Sequence, residues 1–332
     1  MNKPIIAVVA GGYSGEYVVS LRSAQGLMSW IDRELFEVYT VILERERWYA
    51  LVEGESLPID RATFGFSHEG RSIRFDYAYI TIHGTPGENG LLQGYLDLIG
   101  IPYNTGGVLC EALTFNKFVC NRYLDSLPGV RIARARRLHR GMSIEPCELT
   151  KELGLPLFVK PNVGGSSVAT SRVNALEELW PAIERALEES DDVLLESFID
   201  GTEVTCGCYM LEGEAIALPV TEVVTDNAFF DYDAKYNGQV EEITPARISS
   251  ELTEHIQQLT RQIYRYTDAR GIIRVDYIIE ADGLPTLLEV NTTPGMTPTS
   301  FIPQQVSAAG LEIGQLLTQI IRQGLAPTSS TH

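Results

Sequence analysis

The sequence predicts an α/β protein built from more than one unit, and three observations carry that expectation. Residues 5–10, IIAVVA, are an unbroken apolar run of the kind a strand buried on both faces needs. The run ends in GGYSGE, a glycine turn that opens into a helical pattern. At 332 residues the chain is long enough for two or three units, taking roughly 150 residues for each.

The elements follow in order. After the opening strand, a helix is expected at 19–31 and strands at 36–43 and 76–82. Leu91 begins a helix that runs to residue 99, where Gly100 stops it and Pro102 lies just beyond. NTGG at 104–107 breaks the pattern and closes the first unit. A second unit has a helix at 111–127, a strand at 134–138, a helix at 144–153 and a strand at 157–160. GGSSVAT follows, then a helix at 175–189 and a strand at 193–196. Antiparallel strands are expected at 203–210 and 215–220. Residues 221–240 look irregular, and such a stretch in a compact protein is usually a functional loop or a disordered one. The last unit has a helix at 252–267, strands at 272–280 and 284–291, the loop TTPGMTPTS and a closing helix at 313–323.

Composition narrows the function. Lys and Arg number 26 against 44 Asp and Glu, a net charge of −18. A nucleic-acid binder carries a basic excess, and an acidic surface is repelled by anionic membranes, so neither is an expected partner. An anionic ligand must instead be caught locally. Cys110, Cys120, Cys147, Cys206 and Cys208 are an odd, scattered set that supports no disulfide framework and fits a reducing cytoplasm. No apolar run approaches the roughly 20 residues that span a bilayer.

The sharpest local inference comes from RVDYIIEADGLPTLLEVN, where Asp282-Gly283 between two apolar runs favours a two-residue type I′ turn. That turn fixes the register: Asp276 faces Glu289, Arg274 faces Asn291, and all four share one side of the hairpin. Directly opposed like charges are destabilising, so something must neutralise the two carboxylates. A hard dication does this, because Mg²⁺ takes oxygen from one or two carboxylates and completes its shell with substrate phosphates. Asn291 adds a carbonyl oxygen. A solvated face, or a structural ion pair between Arg274 and Asp276, would account for the same residues.

FVKPNVGGSSVAT puts Lys160 at a strand end ahead of a glycine-serine loop. Gly164 and Gly165 let backbone N–H groups approach a phosphate, two hydroxyls add donors, and Lys160 adds charge. A flexible linker or a hairpin turn is the alternative reading. Glu16 in GGYSGE could pair with a substrate ammonium or merely favour the following helix N-terminus. His83 in HGTPGENG lies at a strand end, where α/β proteins place ligand-binding groups, although a lone histidine is more often structural. YDAKYNG offers Lys235 and Tyr236 on a segment that could close over an anionic substrate, or is an ordinary polar loop.

Taken in order, GGYSGEYVVSLRSA, HGTPGENGLLQG, VKPNVGGSSV, ESFIDGTE, DYDAKY, RVDY and LLEVNTTPGMTPTS resemble the D-alanine:D-alanine ligases of the ATP-grasp superfamily. The resemblance spans nearly the whole chain. It implies a three-domain ATP-grasp architecture with a Rossmann-like N-terminal substrate domain at 1–105. A central ATP-grasp subdomain would span 106–196, and a C-terminal subdomain at 197–332 would carry the metal and second-substrate site. ATP would lie sandwiched between the last two, within a module at 118–323.

The resemblance also implies roles. Glu16 would hold the ammonium of the first D-alanine and His83 would help place its carboxylate, with Ser166 and Tyr236 completing a hydrogen-bonded set with Glu16. Lys117 and Lys160 match the phosphate-contacting lysines. Gly165, Ser166, Ser167 and Lys235 match further ATP contacts, as do Glu196, Phe198, Ile199 and Glu203 around ESFIDGTE. Asp276, Glu289 and Asn291 match ligands for two Mg²⁺ or Mn²⁺ ions. Arg274 and the Gly295 N–H would stabilise a tetrahedral oxyanion, and Ser300 with the Phe301 backbone would receive the second substrate's carboxylate, with Lys235 nearby. The implied activity is ATP-dependent joining of two D-alanines through a D-alanyl phosphate, in a cytoplasmic homodimer serving peptidoglycan synthesis.

Three positions depart from the family pattern. Asn89 replaces an aspartate, Ala169 a glycine, and Phe301 a smaller leucine-like residue. Tyr236 favours an amine as second nucleophile. The alternatives are an ATP-grasp ligase using D-lactate or D-serine, and a non-catalytic nucleotide-binding protein.

Overall fold

The computed structural model describes residues 3–142, 144–165, 168–225 and 240–326. Ser166, Ser167, Lys235 and Tyr236 lie outside the described residues, as does most of the 221–240 segment.

β1 (Ile5–Gly11) is buried on both faces, as its unbroken apolar run requires. Ile6, Val8 and Ala10 face one apolar cluster, and Ala7 and Val9 another. α1 (Tyr17–Trp30) packs on it, β2 (Glu37–Leu43) pairs parallel with it, and β3 (Trp48–Val52) and β4 (Glu55–Pro58) extend the sheet antiparallel. A separate hairpin of β5 (Gly65–His68) and β6 (Arg71–Arg74) precedes β7 (Tyr77–Ile80), which pairs parallel with the other side of β1. The order is β4-β3-β2-β1-β7. α2 (Leu91–Ile99) ends at Gly100, which takes the left-handed conformation that suits glycine, with φ 71.

The single helix expected at 111–127 is instead two, α3 (Val108–Phe115) and α4 (Lys117–Leu124). Asn116 between them is extended, and its side chain accepts the Val119 N–H at 3.0 Å as an N-cap. Asn162 completes the start of α4 by accepting the Lys117 N–H on its carbonyl and the Phe118 N–H on Oδ1. The break therefore rests on a partner distant in sequence.

β8 (Arg131–Ile132) is followed by β9 (Ala135–His139), α5 (Pro146–Leu153), β10 (Leu157–Pro161), β11 (Ser171–Val173), α6 (Leu179–Glu189) and β12 (Asp192–Ser197). The antiparallel sheet β11-β10-β12-β9 is covered by α6 through Leu179, Ala182, Ile183 and Ala186.

The third sheet uses β13 (Thr202–Leu211), β14 (Glu214–Ala217), β15 (Thr221–Thr225) and β16 (Val240–Ile243). α7 (Ser250–Tyr266), capped by Ser249, leads to β17 (Ile272–Ile279) and β18 (Pro285–Asn291). The order is β16-β15-β13-β17-β18-β8, with β14 also on β13. Both ends of the segment expected to be irregular are thus strands, because each finds a ladder partner in this sheet. α8 (Phe301–Ala308) and α9 (Ile313–Leu325) then return to the first sheet, where Ile302, Val306, Leu317 and Ile321 join Ile6, Val8 and Tyr77 in one core.

The hairpin β17–β18 corrects the expected turn while keeping its consequence. Glu280 N–H donates to Leu284 O and Gly283 N–H to Glu280 O, so the loop has three residues, closed by Gly283 at φ 78, rather than two. Ile279 therefore pairs with Pro285, and Tyr277 with Leu287. A bulge then inserts Leu288 before Asp276 meets Glu289, and Arg274 meets Asn291. The extra loop residue and the bulge cancel.

Candidate active site

Two neighbouring cavities, of about 710 Å³ and about 810 Å³, share a wall that includes Glu16, Lys117, Gly165, Arg274, Glu289 and Phe301. Every described residue of the expected site lines one or both of them. The larger holds Lys160, Glu196, Phe198, Ile199, Glu203 and Asp276, and the smaller holds His83, Asn291, Gly295 and Ser300.

In the larger cavity, Lys160 at the end of β10 lies 2.5 Å from Glu196 Oε2 on the neighbouring strand. Burial works against its ammonium charge, but Glu196 outweighs that and raises the Lys160 pKa. Asn121 on α4 donates to Glu196 Oε1 at 3.3 Å. The Phe198 ring lies 5.9 Å from Phe158 and has the Arg172 guanidinium 4.3 Å from its centroid. With Ile199 beside them, these tilted rings form an apolar part of the cavity wall against which a planar base could rest. Lys117 Nζ donates to Gly164 O at 2.5 Å and sits 3.8 Å from Glu289 Oε2, so the second cation meets the glycine loop from α4. A Cβ at Gly165 would lie 2.5 Å from Glu16 Oε2. A side chain there would push the Glu16 carboxylate aside, so glycine lets the loop and Glu16 lie this close.

The hairpin carboxylates share a cation that belongs to the chain. Arg274 Nε and a terminal nitrogen donate to the two Asp276 oxygens at 2.8 and 2.7 Å, a bidentate pair, and Thr205 adds a bond to Oδ1 at 2.6 Å. Arg274 is also 3.8 Å from Glu289 Oε1. Burial opposes the guanidinium charge, but Asp276 and Glu289 dominate and raise the Arg274 pKa. Asn291 Oδ1 accepts the Thr293 N–H at 3.1 Å. Among the described residues no three His, Cys, Asp or Glu side chains converge as an ion site. The third donor here is an amide, and an oxygen that accepts one hydrogen bond keeps a lone pair. Two opposed carboxylates and a carbonyl thus remain an all-oxygen set that fits a hard dication.

In the smaller cavity, His83 is buried with Nε2 3.4 Å from Ser23 Oγ, which also accepts the Met296 N–H. Burial lowers the His83 pKa, with Arg274 adding to the effect and Glu16 opposing it, so the imidazole is neutral near pH 7. Ser300 caps the start of α8, and its Oγ accepts the Thr297 N–H at 3.1 Å. Phe301, the first residue of α8, holds its ring 5.2 Å from the Arg274 guanidinium. The larger side chain noted in the sequence therefore packs against the central cation.

Three further residues, two lining the smaller cavity and one buried behind the glycine loop, were not singled out from sequence. Glu88, within HGTPGENG, accepts the Gly84 N–H at 2.5 Å, and burial, with Glu16 adding, pushes its pKa up to about 8. Asn162, two positions after Lys160, ties the phosphate loop to Asn116 and α4. Glu242 on β16 accepts from Gln304 Nε2 at 2.5 Å, and burial raises its pKa. The first two sat inside motifs already read, whereas Glu242 had no local signal.

Comparison with known proteins agrees with this geometry. The model for the D-ala D-ala ligase N-terminus matches residues 5–106, and that for the D-ala D-ala ligase C-terminus matches 130–322. A D-alanine–D-alanine ligase of Porphyromonas gingivalis is 62% identical over 331 residues, covering 99% of this chain and 100% of its own. Among solved structures, D-alanyl-alanine synthetase A from Vibrio cholerae superposes with a TM-score of 0.87 at 28% identity, covering 98% of this chain and 99% of the other. A D-alanine–D-alanine ligase from Bacillus anthracis complexed with ATP gives 0.77 at 27% identity, over 97% of both chains. The chain belongs to the D-alanine–D-alanine ligase family.

Proposed function

We propose that this ATP-grasp enzyme joins two D-alanine molecules with ATP, giving D-alanyl-D-alanine, ADP and phosphate for peptidoglycan synthesis. The observation that carries the reading is the wall shared by the two cavities, where Lys117, Arg274 and Glu289 lie together between the chamber that holds Lys160 and Phe198 and the one that holds His83 and Ser300. Phosphoryl transfer asks a protein mainly for positioning and charge stabilisation, and these residues supply both.

Glu16 holds the ammonium of the first D-alanine, and neutral His83 donates toward its carboxylate without adding a charge. That carboxylate attacks the γ-phosphorus, the bond to the β-bridging oxygen breaks, and ADP leaves while Lys117 and Lys160 hold the phosphates. Phe198, Ile199, Glu196 and Glu203 receive the nucleoside, and Gly165 lets the loop approach the phosphates. The amine of the second D-alanine, held by its carboxylate at Ser300 and the Phe301 N–H, attacks the acyl carbon. Arg274 and the Gly295 N–H stabilise the oxyanion, phosphate departs, and the amine loses its proton. Ser166, Ser167, Lys235 and Tyr236 enter this scheme through the family resemblance. Asp276, Glu289 and Asn291 would hold Mg²⁺ or Mn²⁺, whose chemistry is to neutralise charge on the transferring phosphoryl group.

We assign residues 1–105 to the first amino acid, 106–196 to one side of the nucleotide, and 197–332 to its other side with the metal and second substrate. A homodimer is supported by Leu91 and Leu98, two turns apart on α2, and Leu109 on α3, all strongly exposed. A cytoplasmic location without nucleic-acid or membrane partners is supported by the acidic charge and by five unpaired cysteines. No described helix is long and apolar enough to cross a membrane.

The test is ADP release by purified protein with ATP, Mg²⁺ and D-alanine, L-alanine, or D-alanine with D-lactate, with products identified by mass. D-Alanyl-D-alanine formed only from D-alanine is the expected result. ADP release without that dipeptide would move the second site to another substrate.

A further inference from the structure

Glu111 stands outside the residues assigned above, in the first turn of α3, with no exposed surface. Its Oε2 accepts the Thr292 hydroxyl at 2.7 Å, and its Oε1 makes no hydrogen bond of good geometry among the described residues, with only the Gly106 backbone facing the carboxyl. Gly106 closes the space around it, since a Cβ there would lie 2.5 Å from Cys110 Sγ and 3.1 Å from Glu111 Oε1. A buried carboxyl so placed is costly in either protonation state, because one form is an unsolvated charge and the other leaves an oxygen unpaired. A leucine would fill similar volume without that cost. What a leucine cannot supply is the bond to Thr292.

Thr292 is buried and lies between Asn291 and Thr293. The Thr293 N–H holds Asn291 Oδ1, and the Thr293 backbone faces His83. On the other side of the bond, α3 runs to Phe115 in the shared wall and passes through Asn116 to Lys117. This bond between residues 181 positions apart thus adds a buried side-chain tie, beside the packing of α3 and α4 on β18, between the segment 291–293 and the helices that carry a phosphate lysine.

We infer that Glu111 is a positioning residue for the reaction, which through Thr292 fixes Asn291 and the backbone beside His83 relative to Lys117. The inference rests on the ligase reading given above. Burial drives the Glu111 carboxyl well above the usual carboxylate range, with Thr292 and the Gly106 backbone opposing and Glu88 adding, and a glutamine keeps an oxygen that can accept the Thr292 hydroxyl. An amide should therefore replace it.

The experiment compares wild type with Glu111→Gln, Glu111→Leu, Thr292→Val and the double variant Glu111→Leu/Thr292→Val. Melting temperature, kcat, KM for each substrate, and calorimetric affinity for ADP at several Mg²⁺ concentrations are measured. Glu111→Gln is expected to keep wild-type kcat. Glu111→Leu is expected to melt no lower than wild type yet lose about 10–100-fold in kcat or in Mg²⁺-dependent ADP affinity, the usual loss when a group that orients a metal ligand is removed. Thr292→Val should match it, and the double variant should be no worse than the poorer single one. Wild-type kcat and Mg²⁺ dependence in Glu111→Leu would overturn the inference, as would a Glu111→Gln variant as impaired as Glu111→Leu. If Glu111→Leu does not fold, Thr292→Val decides by itself, with unchanged kcat and Mg²⁺ dependence overturning the inference. Should wild type make no dipeptide, the ligase reading fails, and the ADP affinities still test the clamp.

Discussion

Ala169 has φ 53, a left-handed conformation that costs an L-residue about 1–2 kcal/mol. The family's glycine at this position is thereby explained, and Ala169→Gly should stabilise the protein by about 1 kcal/mol in urea unfolding. Asp276 changes the balance expected from sequence. Opposition to Glu289 alone would make its removal mild, but its bidentate bond to buried Arg274 reverses that. Asp276→Ala should cost about 3 kcal/mol, because it removes the bidentate partner of a buried guanidinium and leaves it only the longer approach to Glu289. Glu289→Ala, with a side chain one-third exposed, should cost much less while also abolishing turnover, a contrast that thermal unfolding and ADP assays resolve together. Glu88 titrates near 8 in the folded protein against 4.5 when unperturbed. Its folded form favours the proton, so its contribution is fully present below about pH 4.5 and is lost as pH rises toward 8. Glu88→Gln should remove that loss, and its stability relative to wild type should climb between pH 5 and 8. An equal difference at both ends would refute the assignment. Lys160, His83 and the hairpin residues were legible because motif and spacing are local. Glu111, Asn162 and Glu242 were not, because each draws its meaning from a partner far along the chain.

At the level of elements, most strands and helices followed from periodicity, and the misses have identifiable causes. The break at Asn116 depends on Asn162, 46 positions away, so no window around residues 111–127 contains it. The short strands β3 to β6 alternate too briefly to register. The turn at Asp282-Gly283 was misread by one residue, and the bulge at Leu288 restored the pairing at the site. Because a bulge sets successive residues on one side, Leu288 and Glu289 both line the larger cavity. Deleting Leu288 should leave Tyr277 opposite Leu287 and Asp276 opposite Glu289. The variant should therefore fold, with weaker nucleotide binding as the measurable change. An unfolded product would show that the bulge, and not the pairing alone, supports the sheet.

Across the whole molecule, charge and composition argued against nucleic-acid and membrane partners but could not show how the three sheets enclose two chambers, because that depends on contacts between units. Alternate residues of β1 serve opposite cores, and one of those cores is completed only by α8 and α9 at the other end of the chain. This has a consequence for biosynthesis. A nascent first unit leaves the ribosome with the cluster of Ile6, Val8, Ile42, Tyr77 and Tyr79 covered only in part, by Ala24 and Leu27 of α1, and the cover is not complete until residues 302–321 have been translated. The first hundred residues are thus a recognisable segment of sequence without being a self-sufficient body, and the final two helices act as the closing stitch that lets the beginning of the protein finish folding.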